Sequence, residues 1–273
     1  EGNILRGGER FFIEESPLVM FEIKHGENWN LGLVRQFADL GYESYRLVPG
    51  LGLLVPNDFA QPLDGFQLNL FCCKPARART LQDAGCLIVD QENEVPVEQL
   101  NYPRWREKFF DLPYAKRLWG AGGVAQPRQR SDDYFKALEL YFLSLSQEHS
   151  ALKRYSALRQ ASCLLESIKS GENTQTLARI STLARVLGDL GQREREVEIL
   201  NTILSGLPAT RGDSAFEEPF LPVCRRFENI DTWSDVTNWF VASVLEQLEL
   251  KCHYSSYYLG MASFKRLESI RSL

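Results

Sequence analysis

Pro17-Leu18-Val19-Met20-Phe21-Glu22-Ile23-Lys24-His25-Gly26 fixes how the rest of the chain is read. Its first half is a short apolar run with β-branched and aromatic members, the composition of a strand buried on both faces in a parallel sheet. Its second half places Glu22, Lys24 and His25 where that strand runs out. The carboxyl ends of strands border the ligand crevice of open α/β sheets. These three side chains are therefore the candidate catalytic residues.

The flanking sequence extends the pattern. From Asn30 to Leu40, apolar residues at Leu31, Leu33, Val34, Phe37, Ala38 and Leu40 recur at helical spacing, and Gly41 supplies a stop. Tyr42 to Val48 reads as the next strand, which makes one βαβ unit. Upstream, Asn3 to Phe12 reads as the end of a helix broken at Gly7-Gly8, with Phe11, Phe12 and Ile13 packing the return to the strand. Downstream come a turn at Pro49-Gly50-Leu51-Gly52, an apolar segment at Leu53 to Pro56, and a loop to Gly65. Phe66 to Phe71 alternates apolar with polar residues, as a strand nearer the sheet edge does.

Composition excludes several function classes. A 273-residue chain with 44% apolar and 25% charged residues has the make-up of a soluble globular protein. A net charge of -5 with no basic face argues against nonspecific nucleic-acid binding. No apolar run approaches the roughly 20 residues needed to span a bilayer. The start at Glu1-Gly2-Asn3 shows neither an initiator Met nor a secretory signal, so a fragment is expected, and the cysteine usage points to a cytoplasmic setting. The cysteines Cys72, Cys73, Cys86, Cys163, Cys224 and Cys252 are scattered and lack zinc-ligand spacing. Reduced thiols and no metal site are the expectation.

Four segments together carry a family resemblance: Ile4-Leu5-Arg6-Gly7-Gly8, Pro17 to Ile23, Leu40-Gly41-Tyr42-Glu43-Ser44-Tyr45-Arg46-Leu47, and Leu68-Asn69-Leu70-Phe71. In order and spacing this resembles the C-terminal half of FkbM-type S-adenosylmethionine-dependent methyltransferases. Glu1 matches the last acidic residue of that family's D-x-E-G-x-E motif; the rest of the motif and the Gly-rich cofactor loop would lie upstream. The resemblance implies a partial Rossmann-like methyltransferase sheet over residues 1–90. It implies S-adenosylmethionine as the cofactor of the parent enzyme and a hydroxyl-bearing glycan or small molecule as acceptor. Neither Gly50-Leu51-Gly52 nor Gly120-Ala121-Gly122-Gly123 has the strand-turn-helix context of a cofactor loop, so this chain alone is expected to be inactive and to bind the cofactor poorly. Within that reading His25 is the base candidate, Glu22 orients it or binds a sugar-like hydroxyl, and Lys24 steadies a developing alkoxide. The structural alternative is a sheet-end ion pair between Glu22 and Lys24.

After Pro75 the character changes. Ala76 to Ala84 reads as a short basic helix and Cys86 to Val89 as a brief extended segment. Residues 91–131 are punctuated by Pro96, Pro103, Pro113 and Pro127 yet hold Trp105, Phe109, Phe110, Tyr114 and Trp119, the make-up of an irregular connector with aromatic anchors and a solvated basic face. Residues 132–273 read as an all-α domain of helical hairpins. Helices are predicted at Tyr134 to Leu145, Ala151 to Ile168, Thr176 to Leu190, Glu194 to Leu204, Trp233 to Leu250 and Tyr257 to Ile270. Ile180, Leu183, Ala184, Leu187, Gly191, Leu200, Ile203 and Pro208 resemble a tetratricopeptide repeat, with Glu196 standing where that family has a small residue. The resemblance implies a protein or glycan partner on the concave side, and Arg154, Arg159, Arg179 and Arg185 could form an anion-reading row. The competing function is a non-enzymatic helical interaction module.

Overall fold

The structure is a computed structural model that describes residues 2–25, 28–90, 95–120, 133–169, 176–206, 216, 218–232 and 235–252, with only the backbone of His25 and Lys169. Glu1, Ala121-Gly122-Gly123 and the helix expected at Tyr257 to Ile270 lie outside the described residues. The molecule is a mixed α/β structure: an antiparallel sheet with flanking helices, followed by helical hairpins.

The amino-terminal residues form α1 (Gly2–Gly7) and α2 (Glu9–Glu14), separated where Gly7-Gly8 predicts a break. Strand β1 (Val19–Glu22) leads into a small hairpin, β2 (Lys24–His25) and β3 (Asn28–Trp29). Helix α3 (Leu31–Asp39) starts where the Asn30 side chain accepts the Leu33 N–H at 3.3 Å. Then come β4 (Glu43–Val48), β5 (Leu53–Pro56), β6 (Asn69–Cys73) and α4 (Pro75–Asp83).

The strand order is β1-β6-β4-β5, with every neighbouring pair antiparallel. This corrects the expectation that β1 lies inside a parallel sheet. Strand β6 is inserted between β1 and β4, with Phe21 opposite Leu70 and Tyr45 opposite Phe71, which leaves β1 at the edge. Burial along β1 alternates: Phe21 is covered while Met20 is 61% exposed, so the apolar run serves one face and not two. Two antiparallel steps still leave β1 and β4 pointing the same way. The predicted strand-helix-strand unit therefore exists, split by the reversed β6.

Each face of the sheet has its own cover. Phe21, Ile23, Leu70 and Cys72 pack with Leu33 and Phe37 of α3 and Leu5 of α1. Tyr45, Leu54 and Cys73 pack on the other face with Ala78 of α4 and with Leu87. Lys74 and Arg77 reach back to the carbonyls of Ile13 and Ser16 at 3.3 Å each, tying α4 to the segment before β1. Phe11 and Ile13 do not pack the return as expected; both are about half exposed.

The expected irregular connector is instead partly helical, with α5 (Trp105–Phe110) and α6 (Pro113–Trp119). Pro113 occupies the first turn of α6, where a missing N–H costs nothing. Trp105, Phe109, Tyr114 and Trp119 are buried as aromatic anchors, and Arg104, Arg106, Lys108, Lys116 and Arg117 face solvent.

The helical region comprises α7 (Asp133–Leu145), α8 (Ala151–Lys169), α9 (Leu177–Leu190), α10 (Arg193–Gly206) and α11 (Val236–Cys252). Gly191 ends α9 at φ 79°, a conformation that glycine adopts without a Cβ penalty. Between α10 and α11, residues Pro219 to Pro222 form a buried irregular segment. Its four successive carbonyls accept from Tyr134 Oη at 2.7 Å, Tyr114 Oη at 2.5 Å, Ser181 Oγ at 2.6 Å and Arg185 Nη1 at 3.0 Å. Side chains thus supply the backbone partners that a helix or sheet would otherwise give. Trp239, Phe240 and Val244 of α11 complete the same core.

One core joins the two halves. Val48, Leu53 and Val55 of the β4–β5 hairpin lie in the same hydrophobic cluster as α7, α8, α9 and α11. Arg46 donates to the Leu190 carbonyl at 3.0 Å and to Tyr155 Oη at 3.2 Å. The Gly50 N–H donates to the Asp189 carbonyl at 2.8 Å. A Cβ on Gly50 would lie 2.9 Å from the Asp189 Cα, so the turn and α9 touch backbone to backbone.

Candidate functional site

The carboxyl ends of β1 and β4 and the amino end of β6 lie together at one end of the sheet, because β6 runs the opposite way. The turn between α9 and α10 docks on that end. A strand-end site would be bounded by residues 22–25 on one side and by this helical corner on the other.

Glu22 ends one strand, while Lys24 and His25 form the first strand of the small hairpin that follows. Glu22 ends β1 opposite Asn69 and faces solvent. The chain then leaves the main sheet at Ile23, whose N–H still donates to the Leu68 carbonyl at 2.8 Å. Lys24 begins the small hairpin, is 7% exposed, and turns its ammonium onto the Gly65 carbonyl and over the Trp29 ring at 5.2 Å. A buried lysine bound to a backbone carbonyl is satisfied where it stands, so its geometry favours holding the loop over steadying an alkoxide. His25 pairs with Asn28 through the backbone, and its side chain is outside the described residues.

Other reactive groups are quiet. Burial pushes the Cys72 thiol well above its ordinary value and Cys73 up to about 11, so neither is an activated nucleophile. All six cysteines are free thiols. Among the described residues, no cluster of His, Cys, Asp and Glu could hold a metal ion, and no helix is long and apolar enough to cross a membrane.

The most concentrated buried charge lies elsewhere. Arg185, 2% exposed, donates to Asp189 at 3.2 Å and to Glu228 at 2.6 Å. Asp189 also accepts from Tyr141 Oη at 3.0 Å and from Arg225 at 2.8 Å. Burial opposes the Arg185 charge, but Tyr141, Asp189 and Glu228 outweigh it and hold the guanidinium protonated. Two cations balance two carboxylates here, so the group fixes α9 against residues 222–228. The spacing of arginines along α8 and α9 gave no sign of it.

No family model, curated protein or solved structure matches this chain.

The expected anion-reading row of arginines is not formed. Arg154 donates inward to the Ser144 carbonyl at 2.9 Å and to Gln147 at 3.1 Å. Arg179 grips Glu218 with two bonds of 2.8 and 3.0 Å, and Arg159 lies 6.0 Å from the Tyr155 ring. The face of α9 that carries Ser181, Thr182 and Arg185 is occupied by Leu221 and Pro222 of the chain itself.

Glu196, the misfit in the repeat pattern, is fully buried. It accepts from Gln247 at 2.5 Å and lies 2.9 Å from Lys251 Nζ, both on α11. Its carboxylate occupies the space that a side chain at Gly188 would fill, since a Cβ there would collide with Oε1. Burial raises its pKa against the opposing pull of Lys251.

Proposed function

We propose that residues 1–90 are the carboxyl-terminal half of an FkbM-type S-adenosylmethionine-dependent methyltransferase domain, followed by a tetratricopeptide-like helical region. The complete enzyme would O-methylate a hydroxyl of a glycan or secondary metabolite. The observation that supports this best is the direction of the strands. Strands β1 and β4 are codirectional across α3, β6 is reversed between them, and the outer side of β1 has no strand partner among the described residues. A doubly wound sheet that carries a reversed strand has this arrangement towards one end. A strand from a preceding segment would pair with β1 and cover Leu18 and Met20, which an edge strand otherwise leaves bare.

In this reading the cofactor is held by the preceding strands, and this chain supplies the acceptor side. His25 would take the hydroxyl proton in the complete enzyme, the role open to an imidazole base. Glu22 orients it or binds a neighbouring sugar hydroxyl. Lys24, engaged by the Gly65 carbonyl, holds the loop beside the strand end. In-line transfer then depends on the donor and acceptor being held close together.

Calorimetric titration with S-adenosylmethionine tests the reading. A chain extended through the coding sequence preceding Glu1 should bind, and the 273-residue chain should not. In the extended protein, His25→Ala should lower turnover and leave cofactor affinity nearly unchanged. Failure of the extended chain to bind overturns the proposal. That outcome would favour the second reading, a non-enzymatic helical interaction module, which the continuous core running from Val48 to Val244 supports.

A further inference from the structure

Lys24 is held by a loop that is itself held by α10, and we infer that Asp64 and Glu194 form a positioning latch through which the helical hairpin fixes Lys24 at the end of β1. Helix α10 begins at Arg193, so the Glu194 N–H belongs to the first turn, whose amides lack acceptors within the helix. Asp64 Oδ2 accepts that N–H at 3.0 Å from 130 residues upstream. In return Glu194 Oε2 accepts the Gly65 N–H at 3.0 Å. A capping box normally places both partners within four residues of one helix start; here the two halves come from different segments. Both carboxylates also sit at the positive end of the α10 dipole.

The latch bears directly on the acceptor of Lys24. The Gly65 carbonyl belongs to the peptide unit whose N–H is that of Phe66, and Asp64 Oδ1 accepts this N–H at 2.9 Å. The preceding peptide unit is held by Glu194. Both peptide planes flanking Gly65 are thereby fixed, and with them the oxygen that receives the Lys24 ammonium. The Gln67 N–H closes the turn on the Asp64 carbonyl at 2.8 Å, and the Arg193 guanidinium lies 5.4 Å from the Phe66 ring. The fit is close: a Cβ on Gly65 would lie 3.2 to 3.3 Å from the Glu194 carboxylate. This positioning holds whether or not the strand end performs methyl transfer.

Competitive acylation with acetic anhydride, read by mass spectrometry on the intact 273-residue chain, measures how well Lys24 is held. The exposed Lys116 serves as the internal reference. Asp64→Ala and Glu194→Ala should each raise Lys24 labelling relative to Lys116 by about fivefold, the worth of one ordinary hydrogen bond. Glu194→Gln keeps an acceptor oxygen for the Gly65 N–H and should restore native labelling. The buried Cys224 thiol must stay protected throughout, which separates loss of the latch from loss of the fold. If an alanine variant exposes Cys224, Gly65→Ala, whose methyl crowds Glu194, carries the test in its place. Unchanged Lys24 labelling with Cys224 protected, or labelling that Glu194→Gln raises as much as Glu194→Ala, overturns the latch.

Discussion

The two edges of the sheet differ in how they meet their surroundings. At the β5 edge, Val48, Leu53 and Val55 are sealed under the helices, and Gly50 lets the turn touch α9 at backbone distance. At the β1 edge, Leu18 and Met20 are well exposed, as are Ile4, Phe11 and Ile13 of the two helices that precede it. Apolar sequence at both edges is comparable; what differs is whether another part of the described structure covers it. A buried edge resists substitution in proportion to how tightly it is packed, and a bare one tolerates it.

Substitutions can break this contrast in order of effect. Arg185→Ala should be the most damaging, because it leaves Asp189 and Glu228 buried without their shared cation; a loss of about 3–5 kcal/mol is expected in urea denaturation. Gly50→Ala should cost about 1–3 kcal/mol, since the added methyl meets backbone that cannot swing aside. A Gly50→Ala protein of native stability would mean that the two halves are not tightly docked.

Glu196 gives a smaller, pH-dependent effect. Its folded pKa is raised by burial, so the folded state holds the proton more tightly than the unfolded state does. The resulting cost is absent below the unfolded value of about 4.3, grows as pH rises, and is complete once pH passes the folded value. Glu196→Gln removes the titration. The stability of the native protein relative to this variant should therefore fall as pH is raised from the acid range towards neutrality, and a difference independent of pH would contradict the burial described. The smallest change belongs to the bare edge: Met20→Lys should alter the melting free energy by no more than about 0.5 kcal/mol. A large loss there would show that something already covers β1.

The helices were legible because their signals are local. Gly191 marks the end of α9, and the apolar spacing places α7 and α8 within a residue or so of their observed ends. The prolines misled: Pro113 suggested a connector but opens α6. Sheet order was not legible, because the insertion of β6 beside β1 depends on partners 47 or more residues apart in sequence, such as Glu22 and Asn69. The same holds for the site. Nothing near Lys24 in the sequence points to Gly65, and nothing near Glu196 announces that Gly188 makes room for it. The resemblance of Glu22, Lys24 and His25 to a reactive triplet came from their position at a strand end, which the structure keeps, while Lys24 is turned to a structural task.

The seam between hairpin and helices also sets an order of events during synthesis. Arg46 meets the Leu190 carbonyl across 144 residues. At ribosomal rates of about 5–20 residues per second, the β4–β5 hairpin waits on the order of 7 to 30 s for the end of α9. Until then Val48, Leu53 and Val55 have only part of their cluster around them, so nascent chains paused between these points are where loss of yield to aggregation should concentrate.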